Sequence, residues 1–210
     1  MRLTERDELI LREVERWRAC GSRHIRRLAG FSGQRATDRR LKILIDAQYL
    51  ERRKYLYGVP SIYFLTAKGK ALIQATARPE KVKAEQIIHD MTVIDTAIYF
   101  MHSENVRLNQ IITEKQLHQQ DGFGVRKHRP DFIFKKDDIT NCVEVELTLK
   151  AKNRLTNIIK DNFMEYDVQN WIIPDTQAKI RQILQDSQNY YTNIRLYSLE
   201  EVNDYVSSLL

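Results

Sequence analysis

Two stretches carry the residues best suited to chemistry: Arg129-Pro130-Asp131-Phe132-Ile133-Phe134 and Val143-Glu144-Val145-Glu146-Leu147-Thr148-Leu149-Lys150. The first is aromatic and β-branched from Phe132 to Phe134, and the second alternates strictly from Cys142 to Lys150. Between them lies the polar run Lys135-Lys136-Asp137-Asp138, so the pattern predicts two β-strands joined by a tight turn. Strand side chains alternate between faces, which puts Glu144, Glu146, Thr148 and Lys150 together and Val143, Val145, Leu147 and Leu149 opposite. Pro130 suits the first position of a strand, where no ladder donor is needed, and it introduces Asp131 there. Asp131, Glu144 and Glu146 form a candidate Mg²⁺ site, because that ion takes a few carboxylate oxygens together with water and a substrate phosphate. A half-solvated strand carries Glu and Lys on its wet face in the same pattern. Against that plainer reading, Glu144 and Glu146 on one face repel each other unless a cation or a proton sits between them.

The rest of the chain must position these groups. Its 210 residues suffice for one large domain or two small ones, and 42% hydrophobic with 30% charged residues describes a folded, soluble chain. No apolar run approaches a membrane span and the N-terminus lacks a signal-peptide core, so a cytoplasmic protein without membrane insertion is expected. Cys20 and Cys142 stand far apart without metal-type spacing, which predicts reduced thiols and neither zinc nor a disulfide.

The formal charge of +6 conceals a division. Residues 1–83 hold 20 Lys and Arg against 9 Asp and Glu, whereas residues 84–210 hold 14 against 19. A basic front half joined to an acidic back half predicts a nucleic-acid-binding module followed by one that keeps carboxylates for another purpose.

In the front half, Thr4 with Asp7 reads as a capping box opening a helix to about Ala19, with Leu9, Ile10, Val14 and Trp17 buried. Ser22 caps a second helix, the turn Gly30 to Gly33 follows, and a third helix runs from about Gln34 to Gln48. Leu50 to Tyr57 and Ser61 to Thr66 read as a hairpin. Three helices and a hairpin predict a winged helix-turn-helix domain over 1–78. The third helix then offers Gln34, Arg35, Thr37, Asp38 and Arg39 to base edges and Arg40 and Lys42 to phosphate. Arg52, Arg53 and Lys54, with Tyr55 and Tyr57, form the wing. A solvated basic face is the plainer reading, but the charge excess favours DNA.

After the proline-bearing boundary Thr76 to Glu80, a second domain is expected over 83–210. A helix from about Lys83 to His102 leads it, followed by a strand at Val106 to Glu114, a loop from Gln119 to Lys127, and the two strands above. Helix, strand, helix, strand and helix complete an α/β sandwich with a mixed sheet. This order, with Pro130-Asp131 on one strand and Glu144-Val145-Glu146 on the next, resembles the PD-(D/E)XK nucleases of the restriction-endonuclease-like fold. Glu146 stands where that motif more commonly has Lys. The preceding small domain and the basic helix with Lys152 and Arg154 make the chain similar to the MobC relaxases of mobilisable plasmids and the replication-relaxation proteins related to them.

The resemblance implies a relaxase that nicks one strand at a plasmid transfer origin. Its partners would be double- and single-stranded DNA, with accessory and coupling proteins of the mobilisation machinery. It implies Asp131 and Glu144 holding Mg²⁺ or Mn²⁺, Glu146 as a third ligand or an orienter of the nucleophile, and Lys150, offset from the usual lysine, stabilising the phosphate. Water or one of Tyr166, Tyr190 and Tyr191 supplies the nucleophile. His89 beside Asp90 reads as a structural histidine or a site residue, and Cys142 has nothing visible to activate it. The alternatives are a non-catalytic DNA-binding accessory or regulator on an inactive nuclease core, and a transposon or junction nuclease on the same scaffold.

Overall fold

The computed structural model describes residues 2–55, 60–75, 83–122, 124, 127–149 and 151–209. The chain divides into two compact units, 1–94 and 95–210.

In the first unit, Thr4 and Asp7 close the expected capping box and start helix α1, Glu5–Arg16. The buried stripe of α1 uses Ile10, Leu11 and Val14, with Trp17 just beyond; Leu9 is exposed. The helix also stops short of Ala19, because Arg18 turns left-handed (φ 65°) and releases the chain into strand β1, Cys20–Gly21. Helix α2, Ser22–Leu28, has Gly21 rather than Ser22 at its N-cap, and the Gly21 N–H donates to His24 Nδ1 at 3.1 Å. Gly30 at φ 63° ends this segment in the conformation a glycine adopts without strain.

Helix α3, Gln34–Asp46, is followed by strands β2, Leu50–Arg53, and β3, Ile62–Leu65. The sheet order is β1-β3-β2, all antiparallel, with Leu50 opposite Leu65 and Arg53 opposite Ile62. The hairpin tip expected at Tyr57 lies outside the described residues. Helix α4, Ala67–Leu72, is capped by the Thr66 hydroxyl, which accepts from Gly69 N–H at 3.0 Å. Gly69 is required by space: a Cβ there would lie 2.2 Å from the Tyr49 carbonyl oxygen. Helix α5, Ala84–Ser103, contains the division between the units.

In the second unit the remainder of α5 is followed by a 3₁₀ turn, Leu108–Gln110, and β4, Ile111–Thr113. Helix α6, Glu114–Asp121, then occupies much of what the sequence reads as strand end and loop. Strands β5, Phe132–Lys136, and β6, Ile139–Val145, form the predicted hairpin. Its two central residues, Asp137 (φ 49°) and Asp138 (φ 65°), are both left-handed, the geometry that matches a two-residue turn to strand twist. Helix α7, Lys152–Glu165, crosses to β7, Val168–Ile173; α8, Ala178–Gln188, crosses to β8, Ile194–Ser198; and α9, Leu199–Ser208, ends the fold. The sheet runs β4-β5-β6-β7-β8, antiparallel through β6 and parallel beyond.

Helices cover both faces of this mixed sheet. On one face Phe100 of α5 meets Phe134 at 5.2 Å, Tyr197 at 5.5 Å and Phe132 at 6.3 Å, while Tyr99 meets Tyr205 of α9 at 5.3 Å. On the other, Leu155, Ile158 and Ile159 of α7 and Ile180 and Leu184 of α8 pack on Trp171, Ile173 and Ile194. Double coverage explains why every residue of β7 is buried. No described helix is long and apolar enough to cross a membrane.

Candidate functional site

Phe132 pairs with Val143 across the β5–β6 hairpin, so one more step of register sets Asp131 opposite Glu144. Glu144 also pairs with Trp171, whose ring packs under α7, so the carboxylates belong to the α7 face of the sheet. Asp131 lies just ahead of β5, and its Oδ2 accepts from the Val145 N–H at 2.7 Å. The carboxylate therefore supplies an acceptor where the hairpin ladder ends.

Glu144 and Glu146 are only 5% and 3% exposed. A wet strand face is thereby ruled out for these two acids; Glu144 lies on β6, central in the sheet, with α7 reaching it through Asn162. Burying a carboxylate is costly unless partners satisfy it. Glu144 Oε1 has two, His128 Nε2 at 2.7 Å and the Asn162 amide of α7, which donates at 2.9 Å. Sequence reading missed both. His128 stands three residues before Asp131 and was legible as a titratable neighbour of the motif, whereas Asn162 carries no signal beyond its inward position on α7.

Strand alternation does not continue to Lys150. β6 ends at Val145, and only one further bond, Glu146 N–H to the Ile172 carbonyl at 3.0 Å, extends the pairing with β7. Leu149 is 43% exposed, so the apolar face expected through Leu149 is lost with the strand. Lys150 itself lies outside the described residues.

A charged network flanks the pair. Arg129 binds Asp121 through two hydrogen bonds, reaches Glu165, and donates to the Tyr166 hydroxyl at 3.4 Å; Lys127 also pairs with Glu165. The Asp121 hydrogen bonds raise the Arg129 guanidinium above its ordinary range, more than offsetting desolvation. Burial pushes Glu165 up, yet Lys127 and Arg129 together hold it below the usual carboxylate range. Burial and the Glu165 charge push the Tyr166 phenol up to about 12. Buried and bonded to Arg129, Tyr166 is a poor nucleophile at neutral pH. Burial, followed by the charge of Glu144, likewise raises the Cys142 thiol, matching its reading as inert. His89, in the first unit, stands 3.6 Å from Asp90.

Asp131, Glu144 and Glu146 offer hard oxygen donors, the type Mg²⁺ and Mn²⁺ prefer. Among the described residues no three His, Cys, Asp or Glu side chains stand together as a ready metal cage. The donor chemistry fits such an ion bound by one or two carboxylates with water and phosphate, and does not fit an ion caged by protein alone.

In the first unit, α3 sorts its polar residues by face. Arg35, Arg39 and Lys42 are exposed at helical spacing and share one side. Thr37 and Arg40 do not join them. Thr37 is fully buried with its hydroxyl donating to the Gly33 carbonyl at 3.1 Å, and Arg40 forms a two-pronged pair with buried Asp7 of α1. Gln34 donates to Asp38 at 2.8 Å, and Asp38 also accepts from Ser22 at 2.7 Å, tying the start of α3 to α2. Arg52, Arg53 and Lys54 are exposed, although Arg53 lies 5.1 Å over the Phe64 ring and pairs with Glu51.

Residues 11–190 match the family model described as replication-relaxation. No curated protein matches the chain.

Proposed function

The chain belongs to the replication-relaxation family, which points to a role in plasmid replication or mobilisation, and from that premise we propose that it is a metal-dependent DNA endonuclease. It nicks one strand at a plasmid transfer origin. The observation that carries this reading is buried Glu144 directly across the β5–β6 hairpin register from Asp131, with buried Glu146 two residues further along the chain. Acids buried beside specific polar partners cluster at functional sites.

In this reading the first unit is a winged helix-turn-helix that docks on duplex DNA, and the second is a PD-(D/E)XK-type core. Asp131 and Glu144 would hold Mg²⁺ or Mn²⁺ together with water and the substrate phosphate, and Glu146 would orient the attacking water. An ion held there would supply positive charge against the scissile phosphate and acidify the water that Glu146 orients. His128 and Asn162 fix the Glu144 carboxylate so that its second oxygen keeps one direction. Partners are the transfer origin as duplex and single strand, and accessory or coupling proteins.

Arg35, Arg39 and Lys42 form the duplex-docking stripe. Alanine at each is expected to make the plot of log affinity against log salt shallower by about 0.9 per side chain, as removed phosphate contacts require. Anisotropy titrations of duplex DNA across a salt series read this directly.

The test of function is conversion of supercoiled plasmid carrying the cognate origin to relaxed circles with Mg²⁺ or Mn²⁺, and its loss in EDTA. Conversion confined to origin-bearing plasmid supports the reading; a plasmid that stays supercoiled in both metals sinks it. One observation favours a second reading, a DNA-binding accessory on an inactive core. Glu144 is already occupied by His128 and Asn162, and the described residues hold no three-ligand cage. Duplex binding without nicking is its signature.

A further inference from the structure

The outward face of α7 carries groups the carboxylate cluster does not use. Lys152 and Lys160 are exposed along it, with Asn153 and Asn157 between them, while Arg154 is exposed on the opposite flank from Phe163. Near its end Met164 is 77% exposed, and the ring of Phe163 lies 5.1 Å from that of Tyr191. Tyr190, next in the chain, is 80% exposed. Met164 and Tyr190 are the most exposed large apolar side chains among the described residues, and they flank the one Phe163–Tyr191 contact. Apolar surface displayed in this way marks an interaction site.

Its composition indicates the partner. Rings and a thioether alternate with cations and amides, the mixture that grips a phosphate backbone while bases stack. A protein-binding patch centred on a continuous apolar core has a different make-up. The positive charge is also local, since residues 95–210 hold 14 Lys and Arg against 17 Asp and Glu. Of the two acids on α7, Glu165 is engaged by Lys127 and Arg129, which leaves Asp161 as the opposing charge. The helix, 14 residues long, spans about 21 Å, the reach of a few nucleotides. Its inner face holds Glu144 through Asn162, the residue directly before Phe163.

We propose that the outer face of α7, together with Tyr190 and Tyr191, is a track for single-stranded DNA: Lys152 and Lys160 meet phosphates, and Tyr190, Phe163 and Met164 receive bases. The track deepens the nuclease reading and rests on it for the expectation that the substrate strand is unpaired near the cut.

Fluorescence anisotropy of the full chain with a labelled oligothymidylate of about 12 nucleotides tests it. Wild type binds; Tyr190→Ala combined with Met164→Ala weakens binding about tenfold, as does Lys160→Glu, while Tyr190→Phe restores it. All these positions are exposed, so melting temperature stays unchanged. Glu144→Gln leaves oligothymidylate binding within about twofold, because the stacking surface is intact. Wild type that fails to bind, or variants that bind as wild type does, overturns the track. Sedimentation that changes in the variants while oligothymidylate affinity holds also overturns it and makes the patch a protein interface. A Tyr190-dependent affinity in a protein that never nicks leaves the track standing and removes only the nuclease reading; nicking without that dependence does the reverse.

Discussion

Glu144→Gln and Asp131→Asn are each expected to slow Mg²⁺-dependent nicking by at least about a hundredfold while leaving duplex binding and melting temperature near wild type. Both changes keep the volume and remove the charge. The choice of amides matters. Asp131 accepts the Val145 N–H, and an alanine there leaves a donor unsatisfied at the end of the hairpin, a loss of about 1–3 kcal/mol that confounds catalysis with folding. Asparagine keeps an acceptor for Val145, and glutamine keeps one for the Asn162 amide. Nicking that survives both substitutions would place the chemistry elsewhere. Loss of nicking together with a large fall in melting temperature would show that these acids hold the hairpin and nothing more.

Breaking the Asp7–Arg40 pair is expected to have the largest effect on stability. Asp7 is fully buried at N3 of α1, where one carboxylate takes the Thr4 N–H at 2.7 Å, the Thr4 hydroxyl at 2.8 Å and both prongs of Arg40. It thus closes a cap and joins α1 to α3. Removing one partner of such a pair strands the other charge and costs about 3–5 kcal/mol. Asp7→Ala should lower the melting temperature of the first unit by at least about 10 °C, read by circular dichroism.

The pair also sets a pH dependence. Burial pushes the Asp7 carboxyl up, but Arg40 and Thr4 outweigh it and hold the group below its ordinary 3.8. A depressed folded-state value adds stability that is complete above the unfolded value and lost as pH falls through the folded one. Wild type therefore loses stability on acidification below about pH 4, and the Asp7→Asn variant loses less over the same range. A variant with an equally steep acid profile would show that other carboxylates control it.

Local signals carried much of the fold. Thr4 and Asp7 predict their cap, Asp137 and Asp138 their turn, and the alternation from Cys142 to Val145 its strand, because each depends on residues a few positions apart. Helix α6 escaped because Leu117 is its only buried residue, leaving no apolar stripe; its capping box at Thr113 and Gln116 was the available clue. Arg40 read as a phosphate ligand because its partner Asp7 lies far back in the chain, and one-dimensional charge runs do not show which guanidinium turns inward. Leu9 and Leu11 on α1 are both leucines, and only packing decides which is buried.

At the candidate site the acids were legible and their environment was not. The pattern of Glu144 and Glu146 is the same on a wet strand and on one roofed by a helix, and at Glu144 it is α7 that decides. The Asn162 contact comes from that roof, and the His128 contact from the segment ahead of β5. The repulsion expected between two acids on one face is met at Glu144 by those donors.

Isothermal titration of Mn²⁺ into the wild type, Glu144→Gln and Asp131→Asn proteins in the presence of origin DNA decides the matter most directly. Saturable binding to wild type that is lost in both variants is the expected result. No Mn²⁺ binding, or binding that both variants retain, would contradict a metal held by Asp131 and Glu144.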